Sequence, residues 1–197
     1  MLIALIGFMG AGKSSVGRLL AQRLNVPFLD ADEAIEQSTG RTIADFFSTE
    51  GEQGFRVVEK EVVADLLDVS DAVVALGGGA VEDAACRERL RGATVVHLDV
   101  DTHEALRRIG NGNDRPMLAA HDPAALHARR RPVYESIADI SVASNGPVED
   151  IVDELVSLLD RPDPGTVDRL DDPPEQVDRL DDPPEQVDRL DDPPEQL

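Results

Sequence analysis

The stretch that decides the fold is residues 2–24, LIALIGFMGAGKSSVGRLLAQRL. It opens on five apolar residues, the composition of a strand buried on both faces of a parallel sheet. From Val16 to Leu24 the apolar residues recur at helical spacing. Between the two, Gly7-Phe8-Met9-Gly10-Ala11-Gly12-Lys13-Ser14 fits G-x-x-x-x-G-K-[ST] at every position. Glycines let successive backbone N–H groups converge on phosphate oxygens, and the N-terminus of the following helix adds partial positive charge. The run Gly10, Ala11, Gly12, Lys13, Ser14, Ser15 is therefore the expected nucleotide-binding surface. Lys13 is expected to reach the β- and γ-phosphates and the Ser14 hydroxyl to ligate Mg²⁺, so a nucleoside triphosphate with Mg²⁺ is the predicted ligand.

Working outward, residues 1–160 alternate strand and helix signals. Apolar runs suited to buried strands are 2–6, 27–29, 72–76, 94–98 and 140–143. Asp101 and Glu104 read as a capping-box-like start for a helix that reaches Arg108 and stops near Gly110. Asp122-Pro123 reads as an N-cap followed by proline at the first helical position. Val148, Ile151, Val152, Leu155 and Leu159 form one stripe of a last helix starting at Pro147. This alternation predicts an α/β domain with a helix-covered parallel sheet, whose ligands sit at the carboxyl ends of the strands.

Composition narrows the function. The chain has 197 residues, 41% hydrophobic, with 3% aromatics and no Trp, so Val, Leu, Ile and Ala are expected to make the core. Forty acidic against 19 basic side chains give a formal charge of −21. That field disfavours nucleic acid and anionic lipid, so an anionic ligand needs a local basic pocket. No apolar run approaches the ~20 residues of a membrane helix. Cys86, the sole cysteine, excludes an internal disulfide and suits a reducing, cytoplasmic setting. VDRLDDPPEQ repeats three times from Val167, Val177 and Val187, and the segment from Arg161 onward holds thirteen acids and four arginines. Pro-Pro in each unit and two apolar positions predict a disordered tail, residues 161–197, outside a domain of residues 1–160.

Three features bear on what accepts the phosphoryl group. Asp30-Ala31-Asp32 closes the second strand. Its carboxylates can orient a hydroxyl, take its proton or serve the metal, or they can cap the helix that follows; the residues alone leave these readings open. Gly77-Gly78-Gly79 follows the third strand and lets a ligand approach the backbone closely. The third strand ends without the metal-binding Asp that many nucleotide-cleaving loops use, so the metal's acidic partner is expected from the Asp30 region. Arginines then stand out in so acidic a chain. Arg56 lies beside Phe55, Val58, Val62 and Leu66; Arg107, Arg108 and Arg115 flank GNGNDRP; Arg129, Arg130 and Arg131 precede Pro132. Arginine forks bind carboxylate or phosphate in bidentate fashion. Arg115, in a Gly-rich loop ending in proline, is expected on a lid against the transferred phosphate.

In order along the chain, GFMGAGKSSVGRLLA, FLDADEAIE, IADFFSTEGEQGFRVVE, LGGGAV and the later RP and RRPVY segments resemble the shikimate kinase family. The resemblance covers essentially all of residues 1–160. It implies a three-layer α/β/α sandwich of the nucleoside-monophosphate-kinase type, with five parallel strands in order 2-3-1-4-5. It also implies transfer of a phosphoryl group from ATP to the 3-hydroxyl of shikimate. Carried onto this chain, Asp32 holds the acceptor hydroxyls and acts as or positions the base, and Asp30 supports the Mg²⁺ shell. Arg56 and Arg130 grip the acceptor carboxylate, with Gly77, Gly78 and Gly79 lining the pocket. Lys13 and Arg115 act on the phosphates, and Arg108 and Pro147 pack around adenine. Spacing to Pro132 and Tyr134 favours Arg130 among its neighbours, and Ser144-Asn145-Gly146 lacks the arginine some members carry near adenine. Small-molecule partners and a cytoplasmic monomer are expected.

Two alternatives remain at this stage. A kinase for another hydroxy acid such as gluconate would share the loop and differ in the FRxxE and GGG segments, which are present here. A catalytically silent nucleotide-binding module would carry damage at Lys13, Asp32, Arg56, Arg115 or Arg130, and none is damaged.

Overall fold

The computed structural model describes residues 1–110 and 122–160. Its sheet has five parallel strands in the order β2-β3-β1-β4-β5. These are β1 (Leu2–Ile6), β2 (Phe28–Asp30), β3 (Ala72–Ala75), β4 (Thr94–Asp99) and β5 (Ile140–Ala143). Every residue of β1 and β3 is buried, as expected of central strands covered on both faces. β1 lies between β3 and β4, with Ile3 level with Val73 on one side and Thr94 on the other. The strand order thus reverses beside β1, and the crevice at its carboxyl end is where ligands bind in open parallel sheets.

The helices are α1 (Lys13–Leu24), α2 (Ala31–Thr39), α3 (Ile43–Leu67), α4 (Ala84–Leu90), α5 (Thr102–Ile109), α6 (Pro123–Ile137) and α7 (Val148–Leu159). A short 3₁₀ turn, Ala80–Glu82, precedes α4. α7 buries Ile151, Val152 and Leu155 and packs against α1, so the expected stripe faces the core. None of these helices is long and apolar enough to cross a membrane.

Local signals land where the sequence puts them, with shifts at the ends. α1 begins at Lys13, three residues before the apolar periodicity starts, because the end of the phosphate loop is already helical. β2 runs to Asp30 and β4 to Asp99, one residue beyond their apolar runs. Asp122 caps α6 through the Ala124 N–H at 3.1 Å. Asp101 caps α5, accepting from the N–H groups of His103 and Glu104 at 2.8 and 3.3 Å. The reciprocal half of that capping box is absent. Glu104 turns to Arg107 and Arg108, while the Asp101 N–H donates to Asn145 Oδ1 at 3.2 Å. Two arginines within a turn outcompete one backbone N–H for a carboxylate.

The main core is aliphatic, as the composition requires, yet Phe8, Phe46, Phe55 and Tyr134 are also buried. Phe46 and Phe55 join Ile35 in a second small core that ties α2 to α3. Phe47 lies 5.0 Å and Phe46 6.5 Å from the Phe55 ring. α3 is interrupted at Gly51, whose φ of 68° is open to glycine at little cost and lets the chain turn before Phe55. Because Arg56 follows Phe55 directly, this small core sets where its guanidinium can reach. Phe55→Ala should therefore lower stability by about 3–5 kcal/mol in urea titrations, whereas Val57→Ala on the exposed face should stay within about 0.5 kcal/mol. Equal losses would contradict this packing.

Candidate active site

The loop after β1 is braced from three sides. Ser144, at the end of β5, donates its hydroxyl to the Ala11 carbonyl at 2.9 Å. Arg108 of α5 donates to the Gly10 carbonyl at 3.3 Å, and Lys13 bends back to the carbonyls of Gly7 and Phe8 at 2.9 and 3.1 Å. Gly10 cannot be replaced without strain. Its φ is +78°, and a Cβ there would stand 2.7 Å from the Ala105 carbonyl oxygen.

The start of α1 differs from that of its neighbours. α2 to α6 each begin on an Asp or Thr whose side chain accepts from the first turn. α1 begins on Gly12, in the left-handed region, with no capping side chain and no acid in its first turn. Its leading N–H groups and its dipole are thus left for an anion. A cavity of about 290 Å³ opens there, lined by Gly12, Lys13, Ser14, Ser15, Asp30, Asp32 and Arg108 among others.

Of the readings left open for Asp30 the structure shows capping, alongside a bond to Ser14. One carboxylate oxygen caps α2 through the Asp32 N–H at 3.0 Å. The other accepts the Ser14 hydroxyl at 2.6 Å. The pair presents hard oxygen donors beside the phosphate cavity. No group of three or more His, Cys, Asp or Glu able to hold a metal occurs among the described residues. This donor set fits Mg²⁺, which takes one or two protein oxygens and fills its shell with phosphate oxygens and water.

A second cavity of about 260 Å³ lies beyond the triple glycine, lined by Arg56, Glu59, Gly79, Glu82 and Cys86 among others. Arg56 is paired with the buried Glu59 and with Glu52, the latter at 3.0 Å. Its guanidinium lies against Gly79, where any Cβ would collide with it. At Gly77 a Cβ would stand 2.6 Å from Glu59 Oε1 and 3.5 Å from Asp32 Oδ1. The glycines thus make room for charged side chains as much as for a ligand. Burial pushes the Glu59 carboxyl above its ordinary value, opposed by Arg56 and reinforced by Asp32. Burial opposes the Arg56 charge too, but the charge and hydrogen bonds of Glu59 and Glu52 hold its pKa above the usual value. Burial and the nearby Asp83 push the Cys86 thiol up to about 12, so it is inert at neutral pH.

Known proteins with this architecture can now be set beside the site. The family model for shikimate kinase matches residues 9–160. The chain is 46% identical over 161 residues to a shikimate kinase of Rhodococcus erythropolis, covering 79% of this chain and 95% of that one. It is 50% identical over 145 residues to that of Mycobacterium avium, covering 72% and 82%. The chain belongs to the shikimate kinase family. Among solved structures it resembles the shikimate kinase of Acinetobacter baumannii in complex with shikimate, with a TM-score of 0.76, 36% identity and coverage of 80% and 92%. That of Aquifex aeolicus gives 0.73 at 36% identity, covering 81% and 96%.

Within this shikimate kinase family member, most residues singled out from the sequence gather at the carboxyl edge of the sheet. Gly10, Gly12, Lys13, Ser14, Ser15, Asp30, Asp32 and Arg108 share the phosphate cavity, and Arg56 and Gly79 line its neighbour. Ala11 is buried, its carbonyl held by Ser144. Gly78 accepts the Tyr134 hydroxyl at 2.6 Å. Pro147 stands at the N-cap of α7, just after the loop that braces Ala11. Arg115 lies outside the described residues, as does the repeat tail. Of the three successive arginines only Arg130 is buried, its side chain 2% exposed against 51% and 50% for Arg129 and Arg131. Arg131 turns away to Asp99 and Glu135.

Sequence reasoning gave no role to Glu59, Glu82 or Ser144, and used Tyr134 only to fix spacing. Glu59 had a signal, since it follows Arg56 by three positions on the buried side of a helix. Because its pKa is raised above the ordinary 4.5, Glu59 favours folding fully below that value and loses this contribution as pH rises through its folded pKa. The melting temperature of Glu59→Gln should therefore gain on the wild type as pH rises from about 4.5 toward neutrality. A difference that stays flat, or moves toward the wild type, would contradict the burial argument.

Proposed function

We propose that this chain transfers the γ-phosphoryl group of ATP to the 3-hydroxyl of shikimate, releasing ADP and shikimate 3-phosphate. The observation that carries the reading is a complete, anion-ready phosphate loop beside a cavity with a glycine-backed arginine, in a member of this family. Shikimate is a small carboxylate with several hydroxyls, which suits a cavity lined by Arg56 beside a phosphate cavity lined by Asp32. A second acceptor class finds no comparable support.

In the proposed reaction, the loop N–H groups and the start of α1 hold the β- and γ-phosphates, with Lys13 neutralising them. Arg56 and Arg130 orient the acceptor through its carboxylate, and the triple glycine lets its ring lie close to the backbone. Asp32 orients the 3-hydroxyl and accepts its proton as the hydroxyl oxygen bonds to the γ-phosphorus. The bond from that phosphorus to the β–γ bridging oxygen breaks, and ADP leaves with the electron pair. Ser14 and Asp30 would hold Mg²⁺, which neutralises phosphate charge when bound. Such a transfer needs little covalent chemistry from the protein, so positioning and charge neutralisation dominate. Arg108 and Pro147 are assigned to adenine, and Arg115 to the phosphates, on the resemblance. Residues 1–160 are read as the kinase domain, with no part given to residues 161–197. A single cysteine, with no internal partner for a disulfide, suits a reducing, cytoplasmic setting.

ADP release from Mg-ATP, measured with shikimate and with gluconate, tests the acceptor. Shikimate alone should stimulate it; equal stimulation by gluconate, or none by shikimate, would overturn the reading. Lys13→Ala should lower kcat by about 10²–10³. Asp32→Asn should lower kcat by about 10²–10⁴. Arg56→Ala should chiefly raise the shikimate KM, with a smaller loss of kcat from lost orientation.

A further inference from the structure

Glu82 is a charged side chain of the acceptor side to which the reaction above gives no task. It ends the 3₁₀ turn three residues after Gly79 and lines the same cavity as Arg56. Its Oε2 accepts from both Nε and Nη2 of Arg130, at 3.0 and 2.7 Å. Its Oε1 accepts from Nη2 of Arg129 at 3.0 Å. Tyr134, one turn along α6 from Arg130, donates to the Gly78 carbonyl at 2.6 Å. Both ends of the segment from Gly78 to Glu82 are therefore fastened to one face of α6.

The consequence for Arg130 is geometric. A guanidinium is a rigid planar fork, and holding its Nε–Nη2 edge fixes both its plane and the direction of its remaining donors. The side chain is 2% exposed, so water cannot replace a lost counter-ion without rearrangement. A lone carboxylate next to an anion-binding pocket would repel the incoming acid. Here Arg129, half exposed on the outer oxygen, offsets that charge, leaving the trio one positive charge in excess.

We propose that Glu82 is a positioning residue of the acceptor site: it holds Arg130 in the orientation that meets the acceptor carboxylate, and so sets the affinity for the acceptor and not for the nucleotide. This rests on the reading of Arg130 as a carboxylate contact given above. Steady-state kinetics of the full chain, with shikimate and Mg-ATP varied separately, test it in wild type, Glu82→Ala, Glu82→Gln, Arg130→Ala and the double Ala variant, each with a melting temperature. Glu82→Ala should raise the shikimate KM about tenfold or more, from misplacement of the fork. The Mg-ATP KM should stay within about twofold. Glu82→Gln, which keeps an acceptor oxygen for Arg130 without the charge, should fall between. Added to Arg130→Ala, the loss of Glu82 should change nothing further, because the residue acts through that arginine.

A Glu82→Ala penalty that persists at full size in the Arg130→Ala background would overturn the proposal. So would equal effects on both KM values, or an unchanged shikimate KM in folded Glu82→Ala while Arg130→Ala raises it. If the Ala variants melt before assay, Glu82→Gln decides: a rise confined to the shikimate KM supports the proposal, and an unchanged or shared KM defeats it. Wild type without shikimate-dependent turnover would remove the acceptor reading itself, and that failure appears before any variant is made.

Discussion

Two guanidinium groups and one carboxylate, those of Arg130, Arg56 and Glu59, are largely withdrawn from water at the carboxyl edge of the sheet, and the surrounding fold leaves none of them alone. An unpaired charge in such a place costs several kcal/mol, so each must be met by a partner fixed in space. Glu52 and Glu59 partner Arg56 from within α3, and Glu82, from the turn after the triple glycine, partners Arg130. The Arg130–Glu82 pair fastens the glycine segment to α6, while the pairs of Arg56 stay within α3 and its guanidinium lies against Gly79. The cavity beside it lies between α3 and that glycine segment, lined by Arg56, Glu59, Gly79 and Glu82 among others.

The phosphate side obeys the opposite rule. There the N–H groups at the start of α1 are left open, with no acid in its first turn. α1 starts without a cap, the loop carbonyls are taken up by Ser144, Arg108 and Lys13, and of the two nearby carboxylates that of Asp30 engages Ser14 and the start of α2. A site preorganised for a dense anion on one side and a singly charged acid on the other needs little reorganisation when the transferred group passes between them.

How much of this could be read beforehand depended on the range of the interaction. The phosphate loop is contiguous, and its glycines and following helix specify it without help from the rest of the chain. Strand existence and the caps at Asp101 and Asp122 were legible for the same reason, while strand order came only through the family resemblance. Asp30 could not be assigned because capping and side-chain binding use the same atoms; the structure gives one oxygen to each. Arg130 was separated from its neighbours by spacing alone, and the physical reason is helical phase: one step either way along α6 points the side chain toward solvent. Its partner Glu82 lies 48 residues away, and Ser144 lies 133 residues from the carbonyl it holds. No local pattern encodes pairs at that range. Glu104 shows the converse error, where a local pattern was present and a stronger local partner took the carboxylate.

We propose that charges paired within the protein define where the acceptor carboxylate docks. A crystal structure of the full chain with shikimate and Mg-ADP tests it most directly. The carboxylate should lie within hydrogen-bond distance of both Arg56 and Arg130, with Glu82 still on the Nε–Nη2 edge of Arg130 and a ring hydroxyl at Asp32. A carboxylate bound away from both arginines, or Arg130 released from Glu82 to reach it, would show that these pairs do not set the docking position.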